Sequence, residues 1–246
     1  FDRDVALKTT ERNIAHSEQV ARLTQHVQAA AKIPLLIAID QEGGRVCRLK
    51  PDRGFPDTVS AQSLGTKNDL KATTDAGYDI GRTLRDLGIN FDMAPVADVN
   101  VYPDNPVIGK IERSFSANPE QVSAHALAFL RGLQTATVAG CIKHFPGHGS
   151  SRGDSHAGFT DVSDTWTEKE LIPFRDIIAS GDCHIVMTAH LFNRHIDPQF
   201  PATLSPVALG YLRNDLHFDG VIISDDMQMG AIAQEFGFET AVRQGV

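Results

Sequence analysis

Short apolar segments alternate with helix-like segments along nearly the whole chain. Several of the apolar segments are apolar almost throughout, which is typical of parallel strands that are covered on both faces. They are LLIAID (35–40), NFDMAPVADV (90–99), GCIKHF (140–145), HIVMTAH (184–190) and DGVIISDD (219–226). This alternation predicts a parallel sheet, either an open doubly wound sheet or a closed (β/α)8 barrel.

The segments between the strands carry signals for helix starts and stops. The starts are a capping side chain ahead of a proline or a glutamate: Asn118-Pro119, Ser205-Pro206, and Thr167 with Glu170 as a capping box. Gly88 and Gly181 stand where two helices should stop. Strand-then-helix units therefore repeat along the chain.

Polar residues stand at or just after the carboxyl ends of different strands. They are Asp40, Asp98, Lys143 with His144, His190 and Asp225. Parallel barrels collect catalytic groups at this rim, whereas an open sheet would concentrate them at one switch point. The (β/α)8, TIM-type barrel is therefore favoured. Five strands and a possible remnant in FDRDV (1–5) fall short of eight, so we expect one domain over 1–246 that lacks part of both ends, with additional segments in the native protein.

Composition excludes several classes of function. The net charge is −8, with 23 Lys and Arg against 31 Asp and Glu, so nucleic acid is not an expected partner. The longest apolar run, IPLLIAI, is far shorter than the roughly 20 residues of a membrane-spanning helix. Cys47, Cys141 and Cys183 are widely spaced, which indicates neither a disulfide framework nor a thiolate zinc site and fits a reducing compartment. The sequence does not indicate an oligomeric state.

The segment KHFPGHGSSRGDSH (143–156) concentrates titratable residues at the end of one strand. Asp154 can orient the ring of His156 and raise its pKa, as a general acid that later acts as a base requires. The alternative is an Asx-type turn with an exposed histidine. Gly147, Gly149 and Gly153 suggest a loop that moves, which favours the catalytic interpretation.

Other interpretations of this segment concern metal and ligand binding. His144, His148 and His156 could ligate zinc with Asp154, but their spacing matches neither HExxH nor a Cys/His knuckle, so we expect neither a metal nor a cofactor. Lys143 and His144 can donate hydrogen bonds to the hydroxyl or acyl oxygens of a neutral ligand. A salt bridge and a helix-capping histidine are the alternative.

Carboxylates and arginines follow other strands. Alternation allows only one of Asp225 and Asp226 to face the barrel axis, as a nucleophile or base, while the other can cap the next helix. Asp40 and Arg48 suit recognition of sugar hydroxyls or form a closed ion pair, and Arg113 has the same two interpretations.

Together these motifs resemble glycoside hydrolase family 3, in particular its bacterial β-N-acetylhexosaminidases. The resemblance rests on five motifs in the family's order: DQEGGRV (40–46), RSFS (113–116), KHFPGHG (143–149), DSH (154–156) and SDDMQM (224–229). KHFPGHG followed within a short loop by DSH is highly specific, whereas SDD alone is not.

The resemblance implies a retaining double displacement without a metal, in which terminal N-acetylglucosamine leaves a muropeptide-like or short β-glycoside. Asp225 would be the nucleophile, and His156, polarised by Asp154, the acid and base. The residues implied to hold the sugar are Asp40, Arg48, Arg113, Lys143 and His144, with Arg45 supporting the pocket.

Other functions remain open at this stage. They are another family 3 β-glycosidase such as a β-glucosidase, a non-catalytic carbohydrate-binding barrel and a metal-dependent hydrolase. Unpaired cysteines, and the intracellular recycling that this family performs in Gram-negative bacteria, predict the cytoplasm, with export left open.

Overall fold

Short parallel strands and the helices that follow them form the structure, a computed structural model that describes residues 12–155 and 158–245. The strands are β1 (Ala38–Ile39), β2 (Gln41–Gly43), β3 (Val46–Cys47), β4 (Phe91–Asp92), β5 (Ala139–Gly140), β6 (Ile142–Phe145), β7 (Thr160–Asp161), β8 (Ile185–Thr188), β9 (Leu191–Phe192) and β10 (Val221–Ser224). The α-helices are α1 (Ser17–Ala30), α2 (Ala61–Lys67), α3 (Leu70–Asp86), α4 (Pro119–Thr135), α5 (Ile172–Ala179), α6 (Pro206–Gly210), α7 (Gly230–Ala233) and α8 (Phe238–Gln244). FDRDV (1–5) and His156 lie outside the described residues.

The parallel strand pairs follow chain order. β1 pairs with β4, β4 with β5, β6 with β8, and β8 with β10. Only Cys141 separates β5 from β6, and its N–H donates to the carbonyl of Ala94 at 2.7 Å, so the two three-stranded sheets join into one series. A doubly wound sheet would reverse direction at a switch point, and this series does not.

The predicted TIM-type barrel is confirmed, in partial form. Among the strands of residues 12–155 and 158–245, none pairs with the outer edge of β1 or β10. Leu36 beside β1 and Val221 in β10 are exposed at these edges. The described chain therefore forms an arc of the barrel rather than a closed ring.

All five predicted strands are present, but they are shorter than the apolar runs. In 90–99 the regular strand is limited to β4, and pairing returns as an isolated bridge between Val96 and Lys143. Pro95 lies between these two stretches and has no N–H to donate to the ladder. Its carbonyl still accepts from the N–H of Lys143 at 3.3 Å.

Two of the predicted helix starts and both stops are confirmed. Asn118 caps α4 by accepting from the N–H of Gln121, and Ser205 caps α6 in the same way. Gly88 and Gly181 follow the ends of α3 and α5 with positive φ angles of 74° and 83°, which glycine adopts without steric cost.

The predicted capping box at Thr167 and Glu170 is wrong. Thr167 precedes a 3₁₀ turn over Glu168–Leu171 but makes no side-chain capping bond. Glu170 is fully buried and accepts instead from the N–H of Ser150 at 3.1 Å. A long-range contact thus replaces the local one.

Helices α3 and α4 pack closely because each carries a glycine at their contact. A Cβ at Gly77 would lie 2.3 Å from the carbonyl oxygen of Phe129, and a Cβ at Gly132 the same distance from that of Thr74. The core beneath them includes Leu133, Ile142, Phe145, Phe174 and Ile177. No helix in the described part of the chain is long and apolar enough to cross a membrane.

Candidate active site

The carboxyl ends of the strands bring most of the predicted site residues to one rim. Asp40 follows β1, Lys143 and His144 lie within β6, and Asp225 follows β10. Asp98 comes two residues after the bridge that joins Val96 to Lys143. Because parallel strands end at the same edge, residues far apart in sequence meet there.

Lys143 occupies the centre of a buried charge network. Its Nζ lies 2.8 Å from Oδ1 of Asp40 and 2.7 Å from Oε1 of Glu42, and its side chain is only 2% exposed. Arg48 donates from Nη2 to Oδ2 of Asp40 at 3.1 Å. The structure thus shows Asp40 and Arg48 as an ion pair at the rim, and their recognition of sugar hydroxyls stays a prediction.

Arg113 joins the network through a two-pronged bond to Glu42. Its Nε and Nη2 donate to the two carboxylate oxygens of Glu42 at 2.8 and 2.7 Å, and Nη1 donates to the carbonyl of Val107. Burial would raise the pKa of Glu42, but the charges of Arg113 and Lys143 lower it to about 2. Glu42 is therefore ionised at every pH near neutrality.

Asp98 organises the segment that carries the histidines. Its fully buried carboxylate accepts the N–H of His144 at 3.2 Å and the N–H of His148 at 2.8 Å, and it lies 2.7 Å from Nδ1 of His144. Nε2 of His144 lies 3.1 Å from Nη2 of Arg113. Because guanidinium nitrogens only donate, the neutral ring that satisfies both contacts carries its hydrogen on Nδ1.

His144 is therefore placed differently from the sequence expectation. We expected its ring to donate a hydrogen bond to a ligand, yet both ring nitrogens face protein groups in this structure, and the residue is 5% exposed. Contact between His144 and a sugar stays a prediction. The structure gives the ring a part in joining Asp98 to Arg113.

Asp225 and Asp226 point to different surroundings. Asp225 is half-buried, donates its N–H to the carbonyl of Thr188 and accepts the N–H of Asp226 at 2.8 Å. Asp226 is exposed and accepts from the N–H of Gln228 at 2.9 Å. The expectation that it caps the next helix is wrong, because α7 begins after Met229 without a side-chain cap.

The electrostatic surroundings of Asp225 favour its ionised form. Burial raises its pKa, but electrostatic interaction with His144, the N–H of Asp226 and electrostatic interaction with His190 and Lys143 together bring the pKa below its ordinary value. A carboxylate held ionised at a rigid strand end has the properties of a nucleophile.

The second half of the histidine-rich segment is described up to Ser155. Asp154 is half-buried, and its carbonyl accepts from the N–H of Gly158 at 3.3 Å. Pairing of Asp154 with His156 stays a prediction, because His156 lies outside the described residues. Arg45 is exposed, with Nη2 3.9 Å from Oε1 of Glu112.

Sequence reasoning missed Glu42, the carboxylate that joins Arg113 to Lys143. Glu42 lies in the DQEGGRV motif, two residues after Asp40. A charged residue beside two glycines is typical of a solvent-exposed turn, so the sequence did not indicate that it is buried. A charged residue in the hairpin of β2 and β3 that is 7% exposed needs a paired partner. Within residues 12–155 and 158–245, no cluster of three or more His, Cys, Asp or Glu is arranged to hold a metal, and all three cysteines are free.

Comparison with known proteins places this geometry in a family. The model of the glycosyl hydrolase family 3 N terminal domain matches residues 5–246. The chain belongs to glycosyl hydrolase family 3. The predicted resemblance to this family and to its β-N-acetylhexosaminidases is confirmed by the relatives that follow.

Curated relatives carry the name β-hexosaminidase. LpqI of Mycobacterium tuberculosis is 39% identical over 89% of this chain and 58% of its own length. β-Hexosaminidase A of Pseudoalteromonas piscicida is 36% identical over 91% of this chain and 41% of its own. This chain thus spans about half the length of these relatives.

Solved structures of family members superpose closely on the chain. A β-N-acetylglucosaminidase from a Paenibacillus species is 40% identical with a TM-score of 0.90, covering 95% of this chain and 45% of its own. NagZ from Neisseria gonorrhoeae is 34% identical with a TM-score of 0.83, covering 95% and 70%. These matches agree with the partial barrel described above.

Proposed function

We propose that residues 1–246 form the catalytic barrel of a retaining exo-β-N-acetylglucosaminidase. One observation carries this proposal. Asp225, whose pKa is held low, lies at the same strand-end rim as the buried network of Asp40, Glu42, Arg113 and Lys143, in a chain of family 3. Relatives named β-hexosaminidase and β-N-acetylglucosaminidase support the choice of sugar.

The network provides hydrogen-bonding groups for a neutral sugar. The side chains of Asp40 and Arg48 are 20% and 31% exposed, so their polar atoms can reach hydroxyl groups. Lys143 has three ammonium hydrogens, and Asp40 and Glu42 accept two of them. The third can donate to a sugar oxygen, while Arg113 and His144 hold the carboxylates in place.

The proposed reaction has two displacements. The carboxylate of Asp225 attacks the anomeric carbon and forms an ester bond as the glycosidic C–O bond breaks, and protonated His156 gives its proton to the departing oxygen. Neutral His156 then takes a proton from water, whose oxygen attacks the anomeric carbon and releases the Asp225 carboxylate. Asp154 would orient the imidazole in both steps, in place of the second carboxylic acid that most glycosidases use.

Trapping of the glycosyl-enzyme tests the nucleophile. The protein is incubated with a 5-fluoro N-acetylglucosaminyl fluoride, digested, and analysed by mass spectrometry. We expect the label on Asp225, and loss of nearly all turnover in Asp225→Asn. Asp226→Asn is the matched control because Asp226 is exposed, and it should keep most activity. A label on Asp226 would contradict the assignment.

Substrate choice separates the proposal from its rivals. Aryl β-N-acetylglucosaminides should be hydrolysed much faster than aryl β-glucosides, whereas a β-glucosidase would reverse this order. A binding barrel would hold N-acetylglucosamine without turnover. Hydrolysis that survives exhaustive chelation would rule out a metal-dependent enzyme.

We further propose that muropeptide-like or short N-acetylglucosamine glycosides are the natural substrates and that the protein acts in the cytoplasm. Relatives with the names NagZ and LpqI support a role in turnover of cell-wall glycans. Cell fractionation with an antibody against the protein tests the compartment, and a periplasmic or secreted protein would contradict it.

A further inference from the structure

Ser155 stands between the two residues of the proposed acid/base pair and is itself buried, with 3% of its surface exposed. Its Oγ lies 3.2 Å from Nε2 of His148. Its carbonyl accepts the N–H of Ala231 at 3.3 Å, in α7, five residues beyond Asp226. One residue thus connects the DSH loop to two other parts of the rim.

His148 is firmly held in its own segment. Its N–H donates to Oδ1 of Asp98 at 2.8 Å, and its carbonyl accepts from Nδ2 of Asn105 at 2.7 Å. Its ring meets that of His144 edge to face, with centroids 5.9 Å apart. The Asp98 carboxylate that fixes His144 therefore also fixes the residue that contacts Ser155.

We propose that His148 and Ser155 are a positioning pair that sets the distance between the acid/base loop and the nucleophile. The inference rests on the proposed function. Ser155 Oγ connects the loop to His148, in the KHFPGHG segment that also carries Lys143 and His144. Ser155 O connects the loop to Ala231, in the segment that follows Asp225. An error of about 1 Å in the position of a catalytic group can cost on the order of 100-fold in rate, so such a tie has a direct catalytic consequence.

Neither member of the pair is placed to touch substrate. His148 is 4% exposed, and burial together with the neighbouring His144 lowers its pKa to about 4, so its ring is neutral near pH 7. A neutral, buried imidazole that contacts a serine can hold the loop but does not supply a proton to a glycoside. Their role is positioning rather than catalysis.

Ser155→Ala in the intact protein tests the proposal with a series of β-N-acetylglucosaminides whose leaving groups range from 2,4-dinitrophenol to methanol. Displaced acid/base groups matter most where the leaving group needs a proton. We expect kcat/KM to fall about tenfold or more for methyl and phenyl glycosides and less than about twofold for the dinitrophenyl glycoside, as for loss of one positioning hydrogen bond. His156→Ala should give the same pattern with a larger amplitude.

Ser123→Ala is the matched control. Ser123 is also a buried, hydrogen-bonded serine, and its Oγ lies 2.7 Å from Oδ2 of Asp176, in the contact of α4 with α5. Its loss should leave the leaving-group dependence unchanged. Equal loss for all leaving groups in Ser155→Ala, or no loss at all, would overturn the proposal.

Variants of His148 supply a second test. His148→Gln keeps a side-chain group that can form a hydrogen bond near the position of Nε2, and it should retain more activity on the poor leaving groups than His148→Phe. The double variant His148→Phe/Ser155→Ala should be no worse than the single ones, because both remove the same bond. Additive losses would contradict the pair. If the wild-type protein takes no label on Asp225, the proposed function fails instead, and the two failures are distinguishable.

Discussion

Nζ of Lys143 lies 2.8 Å from Oδ1 of Asp40, although the two residues are 103 positions apart in the chain. The contact joins β6 to the residue that follows β1, and β4 and β5 lie between these two strands in the joined series. Burial lowers the pKa of Lys143, but Asp40 and Glu42 outweigh it and raise that pKa above its ordinary value. The ammonium is therefore a permanent cation that two carboxylates share.

Removal of that cation should destabilise the fold strongly. Lys143→Met leaves Asp40 and Glu42 buried without one of their partners, and breaking a buried ion pair costs about 3–5 kcal/mol. Urea unfolding followed by circular dichroism measures the change. Lys71→Met is the matched control: Lys71 pairs with Asp75 at 2.6 Å on the surface, and its loss should cost less than about 1 kcal/mol. Similar losses in both variants would contradict the network's structural role.

Asp98→Asn should impair substrate binding more than the chemical size of the change suggests. The carboxylate faces two N–H groups and Nδ1 of His144. The NH2 group of asparagine would place a donor against one of these donors. A buried group left without its partner costs about 1–3 kcal/mol. We expect KM for an aryl N-acetylglucosaminide to rise about tenfold or more, because His144 and Arg113 lose their support.

The control for this prediction is Asp69→Asn. Asp69 caps α3 by accepting from the N–H of Ala72, and asparagine caps helices equally well. Activity and stability should both stay near wild type. An unchanged KM in Asp98→Asn would contradict the role of Asp98 in holding the site.

The strand-end rim could be predicted from sequence because apolar runs and the polar residues after them share one periodicity. Asp40, Lys143 and Asp225 were placed in this way, and each lies at the expected edge. Glu42 could not, since a buried glutamate in a hairpin is explained only by its contacts with the distant residues Arg113, 71 positions away, and Lys143. Ion pairs between residues far apart in the chain cannot be predicted from the local pattern of apolar and polar residues.

Glu170 illustrates the same limit from a wrong prediction. Its spacing from Thr167 fits a capping box, but a buried side chain follows the lowest free energy of the whole fold rather than of one turn. Its Oε2 accepts a hydrogen bond from the N–H of Ser150, 20 positions earlier. Such a tertiary contact can override the local preference of a residue for a helix cap.

Glu170→Gln should stabilise the protein at neutral pH. Burial first, and then the negative charge of Asp98, raise the pKa of Glu170 to about 8. The unfolded chain loses this proton near pH 4.5 and the folded chain near pH 8, so wild-type stability falls between these values as pH rises, by about 1 kcal/mol for each pH unit. Glutamine stays neutral throughout, so its advantage should grow from about pH 4.5 to pH 8 and vanish below that range.

Thermal unfolding of wild type and variant across this pH range measures the effect. Glu168→Gln, at an exposed position two residues earlier, should show no such growing difference. A Glu170→Gln variant whose advantage is the same at pH 4 and pH 8 would show that Glu170 is ionised in the folded protein.

The glycines of the histidine-rich segment should differ sharply in their tolerance of a methyl group. A Cβ at Gly149 would lie 1.6 Å from the carbonyl oxygen of Val99, and one at Gly147 2.6 Å from Cβ of Glu170, whereas a Cβ at Gly153 meets nothing closer than 3.4 Å. The expectation that all three glycines serve loop movement therefore does not fit Gly147 and Gly149, which allow close packing.

Gly149→Ala should lower the free energy of unfolding, measured by urea denaturation, by at least about 2 kcal/mol, since overpacking of a tight site costs about 1–3 kcal/mol or more. Gly153→Ala should stay within about 1 kcal/mol of wild type, because its φ lies outside the left-handed region and its neighbours are at ordinary contact distance. If Gly153→Ala proves the more damaging of the two, the close packing of Gly149 against Val99 is not what this segment depends on.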